Sequence, residues 1–112
     1  MNLRPWDIVF LRTDEQDRDG HSAVVLSSDD VMADDKQQRF NAVTGPKKQP
    51  AEHARHRQVI LDAADGLEFP TFVDCSLVYV ARKSSIFRSG RLLTVHRRQQ
   101  IQRGIRGYLG LG

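Results

Sequence analysis

The chain has 112 residues, 39% of them hydrophobic, and carries 17 Lys and Arg against 14 Asp and Glu, a net charge of +3. A domain of this length buries roughly 65% of the surface its unfolded chain exposes, so it holds a core without disulfides, and Cys75 has no partner in the chain for one. No apolar run approaches the roughly 20 residues that span a bilayer, and the N-terminus lacks the apolar core of a signal peptide. These features predict one domain over residues 1–112, in the reducing cytoplasm, with no membrane partner.

Asn2 to Pro5 is a short lead-in, and Trp6 is expected to pack against the end of the body. From Trp6 to Thr13 the side chains alternate, with Ile8, Phe10 and Arg12 on one face and Val9, Leu11 and Thr13 on the other, which is a strand. Asp14 to Gly20 has nothing to bury and ends in a residue that tolerates positive φ. Ala23 to Leu26 is a continuous apolar run that suits a strand covered on both faces. The pair predicts a long-looped antiparallel hairpin with function near its loop.

Ser28-Asp29-Asp30 has the form of a helix start with acids in the first turn, predicting one or two turns through Asp35. Arg39 to Thr44 reads as a strand with Phe40 and Ala42 on one face, closed by Gly45-Pro46. Lys47 to His56 is too polar to form a core and is expected as an exposed loop. Gln58 to Asp62 is the next strand, and Ala63 to Gly66 turns the chain. Phe69 to Tyr79 is rich in aromatic and β-branched residues, with a bend near Asp74-Cys75-Ser76 that splits it. Ser84 to Gly90 is expected as a turn region.

From Thr94 the apolar period becomes helical through Val95, Ile101, Ile105 and Leu109, with Thr94 placed to cap the start. Gly104 and Gly107 each weaken this helix by about 1 kcal/mol relative to alanine, so docking must hold it. Ile101, Ile105 and Leu109 are expected inward, leaving Arg97, Arg98, Arg103 and Arg106 outward. Five or six short strands, brief helical turns and one terminal helix predict a mainly β fold, a small, strongly bent antiparallel barrel.

Charge is unevenly spread. Asp7 to Glu52 holds most of the acids, whereas Arg82 to Arg106 carries none. Such a basic block is either a solvated face or a surface for phosphates or an acidic partner. Lys47, Lys48, Arg55 and Arg57, with His53 and His56 among them, form a second cationic cluster suited to phosphate contact, with plain solvation as the alternative. His53 and His56 have only Glu52 nearby as a carboxylate and no cysteine, and Asp29, Asp30, Asp34 and Asp35 lack the glycine turn of a calcium loop, so no metal site is expected. Cys75, in an apolar strand, is expected as a buried small hydrophobe.

The order of these blocks resembles the PemK/MazF family, the growth-inhibiting toxins of type II toxin–antitoxin pairs, which share an SH3-like barrel with the gyrase poison CcdB. Trp6-Asp7-Ile8-Val9 resembles the family's opening Gly-Asp-Ile-Val strand, and Ala23 to Ser27 its second strand. Val43-Thr44 falls where the family ends its third strand in a threonine. Gly66-Leu67 with Thr71 to Val80, and Gly90-Arg91-Leu92 with the helix ending Tyr108-Leu109-Gly110-Leu111, are similar to its later segments.

The resemblance implies an SH3-like barrel with a C-terminal helix, a homodimer, a cognate antitoxin whose acidic tail meets the arginines of the terminal helix, and a cofactor-free, metal-independent ribonuclease acting on single-stranded RNA. Such chemistry needs a base for the ribose 2′-hydroxyl, an acid for the leaving oxygen and cations around the phosphate. The family's arginine before the second strand is replaced here by Ser22, which offers no charged fork. Asp74 occupies the place of an acid found in some members, and Thr44 is the clean carry-over. His21, one residue before the lost arginine, is the candidate proton acceptor, since an imidazole titrates at about 6.5; Arg18 and Arg12 are candidates to reach the same phosphate. The competing expectation, which explains the missing arginine directly, is a non-catalytic module on the same scaffold: a CcdB-like blocker of a protein target or a degenerate adaptor. A DNA-binding barrel rests on charge alone.

Overall fold

The structure, a computed structural model, describes residues 3–12, 20–45, 58–67 and 71–111. Its elements in chain order are β1 (Asp7–Leu11), β2 (His21–Val25), α1 (Asp29–Ala33), β3 (Arg39–Thr44), β4 (Gln58–Leu61), β5 (Thr71–Asp74), β6 (Val78–Arg82), β7 (Ile86–Leu92) and α2 (Val95–Leu109). One antiparallel sheet runs β6-β3-β2-β1-β7, and β4 pairs with β5 in a second, two-stranded sheet. Within the predicted hairpin Ile8 lies opposite Val24 and Leu11 opposite His21.

The central strands are buried on both faces, as the unbroken run Ala23-Val24-Val25 requires. On one face Ile8, Val24 and Val43 pack with Val59 and Leu61 of β4, Val73 of β5 and Ile101 of α2. On the other, Val9, Ala23, Val25, Phe40 and Ala42 pack with Met32 of α1 and Ala81 of β6. Two register shifts between β1 and β7 bend the sheet at that edge. The result is the small bent barrel with a C-terminal helix that the strand pattern predicts.

Local chemistry explains the joints. Arg4 to Asp7 form a tight turn in which the Asp7 amide donates to the Arg4 carbonyl at 3.1 Å and the Arg4 amide to Asp7 Oδ2 at 2.9 Å. Pro5 takes the second position, and Trp6 sits third with φ at 72°, where a type II turn normally places glycine. Trp6 tolerates this because its ring packs against the core, its amide donates to the Val25 carbonyl at 2.7 Å and its carbonyl accepts from Leu93 at 3.0 Å. α1 starts after Ser28 without a side-chain cap, and its carboxyl end is closed instead by Lys83, whose Nζ donates to the Val31 and Asp34 carbonyls at 2.6 and 2.8 Å. Thr94 caps α2 as expected, its hydroxyl accepting from the Arg97 amide at 3.3 Å.

Three expectations need correction. Ser84 to Gly90 is a turn only at its start; Ile86–Leu92 is a seven-residue strand paired with β1. It lies at the sheet edge and is exposed along most of its length, so it shows none of the alternation that marks a half-buried strand. Leu109 is not inward but 54% exposed, because only Ile101 and, in part, Ile105 of α2 reach the core. Arg97 does not point freely outward. Its Nε donates to Asp65 Oδ2 at 3.2 Å and Nη2 lies 3.5 Å from Asp62, while Arg98 Nε donates to the Leu93 carbonyl at 2.9 Å.

Gly45 shows why the chain needs glycine directly after β3. A Cβ built there would lie 1.8 Å from the Phe72 carbonyl oxygen, a backbone atom of β5 that cannot swing aside. Gly45→Ala should therefore cost about 3 kcal/mol or more, read as a lowered denaturation midpoint at unchanged slope.

Candidate active site

β2 and β3 bring two of the sequence candidates to one face of the sheet. Thr44 lies opposite Ala23 in the ladder, so the two side chains project on the same side, and His21, two residues earlier on β2, shares that side by alternation. The Thr44 hydroxyl donates to the Ser22 carbonyl at 2.8 Å, tying the end of β3 to the start of β2. In the free protein its proton is thus held by the backbone.

Tyr79, which sequence reasoning treats only as a strand former, completes the group. It lies opposite Ala42 on β6 and so occupies the same face, and its Oη stands 3.4 Å from His21 Nε2. Burial pushes the Tyr79 phenol up to about 12. In the tautomer that leaves Nδ1 free to take a proton, Nε2–H donates to the Tyr79 oxygen. No sequence signal marked it, because its place follows from β6 pairing with β3, where it shares the face of Ala81.

The other candidates divide. The Ser22 side chain alternates to the face opposite His21 and Thr44, beside Phe10 in the ladder. Asp74 ends β5, where its Oδ1 accepts from the Ser76 amide at 2.9 Å and the Ser76 hydroxyl at 2.6 Å, and Gln58 Nε2 donates to its Oδ2 at 3.4 Å. It closes the bend between β5 and β6. The Arg12 guanidinium stacks 4.4 Å from the Phe87 ring centroid. Arg18, Lys47, Lys48, Arg55 and Arg57, with His53 and His56, lie outside the described residues. Among the described residues no three His, Cys, Asp or Glu side chains gather as a metal site requires.

Cys75 is fully buried, its thiol 3.7 Å from the Ile101 carbonyl. Burial, and secondarily the Asp74 carboxylate, push it up to about 11 from an ordinary 9.0. Because the raised value favours the protonated thiol in the folded state, this contribution is complete below pH 9 and is lost as pH rises through about 11. The loss amounts to roughly 2–3 kcal/mol. Cys75→Ala should flatten that alkaline fall in chemical-denaturation curves measured between these pH values.

The arrangement defines a small antiparallel barrel of the SH3-like type with a helix at its C-terminal end. No protein-family model and no curated protein matches the sequence. Its fold does match solved structures, and they show that the chain has the fold of MazF toxins. A mycobacterial endoribonuclease in complex with its cognate antitoxin superposes with a TM-score of 0.77 at 12% identity, covering 98% of this chain and 97% of that one. MazF of the MazE–MazF structure from Deinococcus radiodurans gives 0.77 at 14% identity over 98% and 97%. The Mycobacterium tuberculosis toxin MazF-mt6 gives 0.75 at 14% identity over 95% and 98%. Among the described residues no helix is long and apolar enough to cross a membrane.

Proposed function

We propose that the chain is the toxin of a type II toxin–antitoxin pair, a metal-independent endoribonuclease that cuts single-stranded RNA and thereby inhibits growth. The observation that carries this reading is the convergence of His21, Tyr79 and Thr44 on one face of a barrel with the fold of MazF toxins. His21 accepts the ribose 2′-hydroxyl proton, and the freed oxygen attacks the adjacent phosphorus, closing a 2′,3′-cyclic phosphate as the 5′ oxygen departs with a proton from solvent. Tyr79 positions the imidazole, and Thr44 sits beside the phosphate. Arg18 stands three residues before His21, and Lys47 and Lys48 three and four after Thr44, so the cationic segments are tethered to both strand ends. With Arg55 and Arg57 they neutralise the phosphate backbone, while Ser22, on the opposite face of the sheet, and Asp74, which closes the β5–β6 bend, are left out of this contact.

The protein acts in the cytoplasm as a homodimer and is held by a cognate antitoxin with an acidic tail. Exposed Val78, Val80, Tyr108 and Leu109 support an apolar contact surface, and Arg103 and Arg106 an acidic partner. Incubation of the purified chain with mixed-sequence RNA in the presence of a chelator should yield discrete fragments. Intact RNA at high protein concentration would remove the ribonuclease claim.

One observation favours a second reading. The Thr44 hydroxyl proton is committed to the Ser22 carbonyl, and Ser22 stands where the family resemblance places an arginine. A CcdB-like blocker of a protein target, or a degenerate adaptor, would have this site. Expression in growing cells separates the two, since growth arrest with intact RNA pools indicates a protein target.

A further inference from the structure

Away from His21, β1 and β7 carry a run of guanidinium groups interleaved with aromatic rings. Arg12 lies 4.4 Å from the Phe87 centroid, Phe87 lies 6.4 Å from Phe10, and Arg88 lies 4.1 Å from the Phe10 centroid. The row begins beside Gly20, the residue before His21, where a Cβ would meet the Phe87 ring at 2.5 Å. It ends in a cleft of about 580 Å³ whose lining includes Phe10, Leu67, Arg88 and Arg91. Arg91 lies along Gly66, where a Cβ would come within 2.9 Å of its Cδ. Arg88 and Arg91 are exposed and have no hydrogen-bond or ion-pair partner among the described residues.

We propose that this β1–β7 row is a second binding track for single-stranded RNA, holding nucleotides that flank the bond being cut. A nucleobase stacks on the guanidinium of Arg88, which the Phe10 ring backs, and Arg91 takes a phosphate in the cleft. A guanidinium fixed over a ring keeps its other face for a base and its edge N–H groups for phosphate, and such stacking tolerates any base. An acidic peptide would use the edges alone and leave the aromatic backing without purpose, so the geometry favours nucleic acid. The track rests on the RNA-binding reading above, but the residues that test it, Arg88 and Arg91, have no part in that reading.

The test is fluorescence anisotropy of the full chain with labelled 2′-O-methyl oligonucleotides of mixed sequence, about 4 and about 16 nucleotides long, which resist cleavage through the 2′ oxygen. The wild type should bind the longer probe more tightly. Arg88→Gln and Arg91→Gln should each weaken it about fivefold or more, with the log–log salt slope falling by about 0.7 per arginine removed. Arg88→Lys separates stacking from charge: it should keep the slope and still lose about fivefold. Both arginines are exposed, so melting curves of all three variants should match the wild type. Wild-type affinity in the glutamine variants, or no binding of the longer probe by the wild type, overturns the proposal. So does arginine-dependent binding of polyglutamate without binding of RNA. Cleavage of unmodified RNA is scored in parallel. Lost cleavage with arginine-dependent binding sinks only the ribonuclease reading, and cleavage with arginine-independent binding sinks only the track.

Discussion

His21→Ala should lower single-turnover cleavage of RNA by about 10²–10⁴-fold, the range removed when a positioned base is lost. The imidazole is half-buried on the face shared with Thr44 and meets Tyr79 at 3.4 Å, so its orientation is set before substrate arrives. Tyr79→Phe keeps the ring and its packing but removes the hydroxyl, and should cost less, about tenfold, because the base survives with a looser orientation. Thr44→Val is the informative control. It removes the bond to the Ser22 carbonyl, lowering stability by about 1 kcal/mol, and any further loss of cleavage then reports a contact with the phosphate. Wild-type rates in His21→Ala would mean that the imidazole is not the proton acceptor.

What could be read in advance follows what each residue had to bury. β1 to β4, and the break between β5 and β6 at Asp74, announce themselves because their apolar residues alternate or run unbroken and are flanked by turn formers. The shared face of His21 and Thr44 follows from strand pairing between neighbours in the chain. Tyr79 was not legible as a site residue, because its approach to His21 depends on β6 crossing to lie beside β3, a pairing between distant segments. β7 was hidden for a different reason: an exposed edge strand satisfies its backbone on one side only and places no demand on side-chain polarity. Arg97 looked like a solvated helix residue because its partners, Asp62 and Asp65, lie more than thirty residues earlier.

That ion pair gives a large expected loss of stability. Asp65→Ala should destabilise the fold by about 3 kcal/mol, since breaking a buried pair leaves a charge without its partner. The Asp65 side chain is 1% exposed and accepts from both Arg97 Nε at 3.2 Å and the Asp62 amide at 2.9 Å, while the arginine keeps 20% of its surface in water, which limits the penalty. For a domain of this size the melting temperature should fall by roughly 15 °C. Asp65→Asn retains an acceptor for the Asp62 amide and should lose less. Asp65→Ala combined with Arg97→Met should recover part of the loss, because the cation that lost its buried partner is gone. Additive losses in the double variant would show that the two side chains do not stabilise each other.

The polar composition of β7 bears on how the molecule behaves at high concentration. A seven-residue strand at the rim of a sheet is a template on which another chain can crystallise into cross-β filaments. Arginines at 88 and 91, with Ser89 and Gly90 between them, set like charges and a weak β-former against such growth. Valine at both arginine positions would leave a long apolar rim, and the expected consequence is fibrillation of an otherwise folded protein.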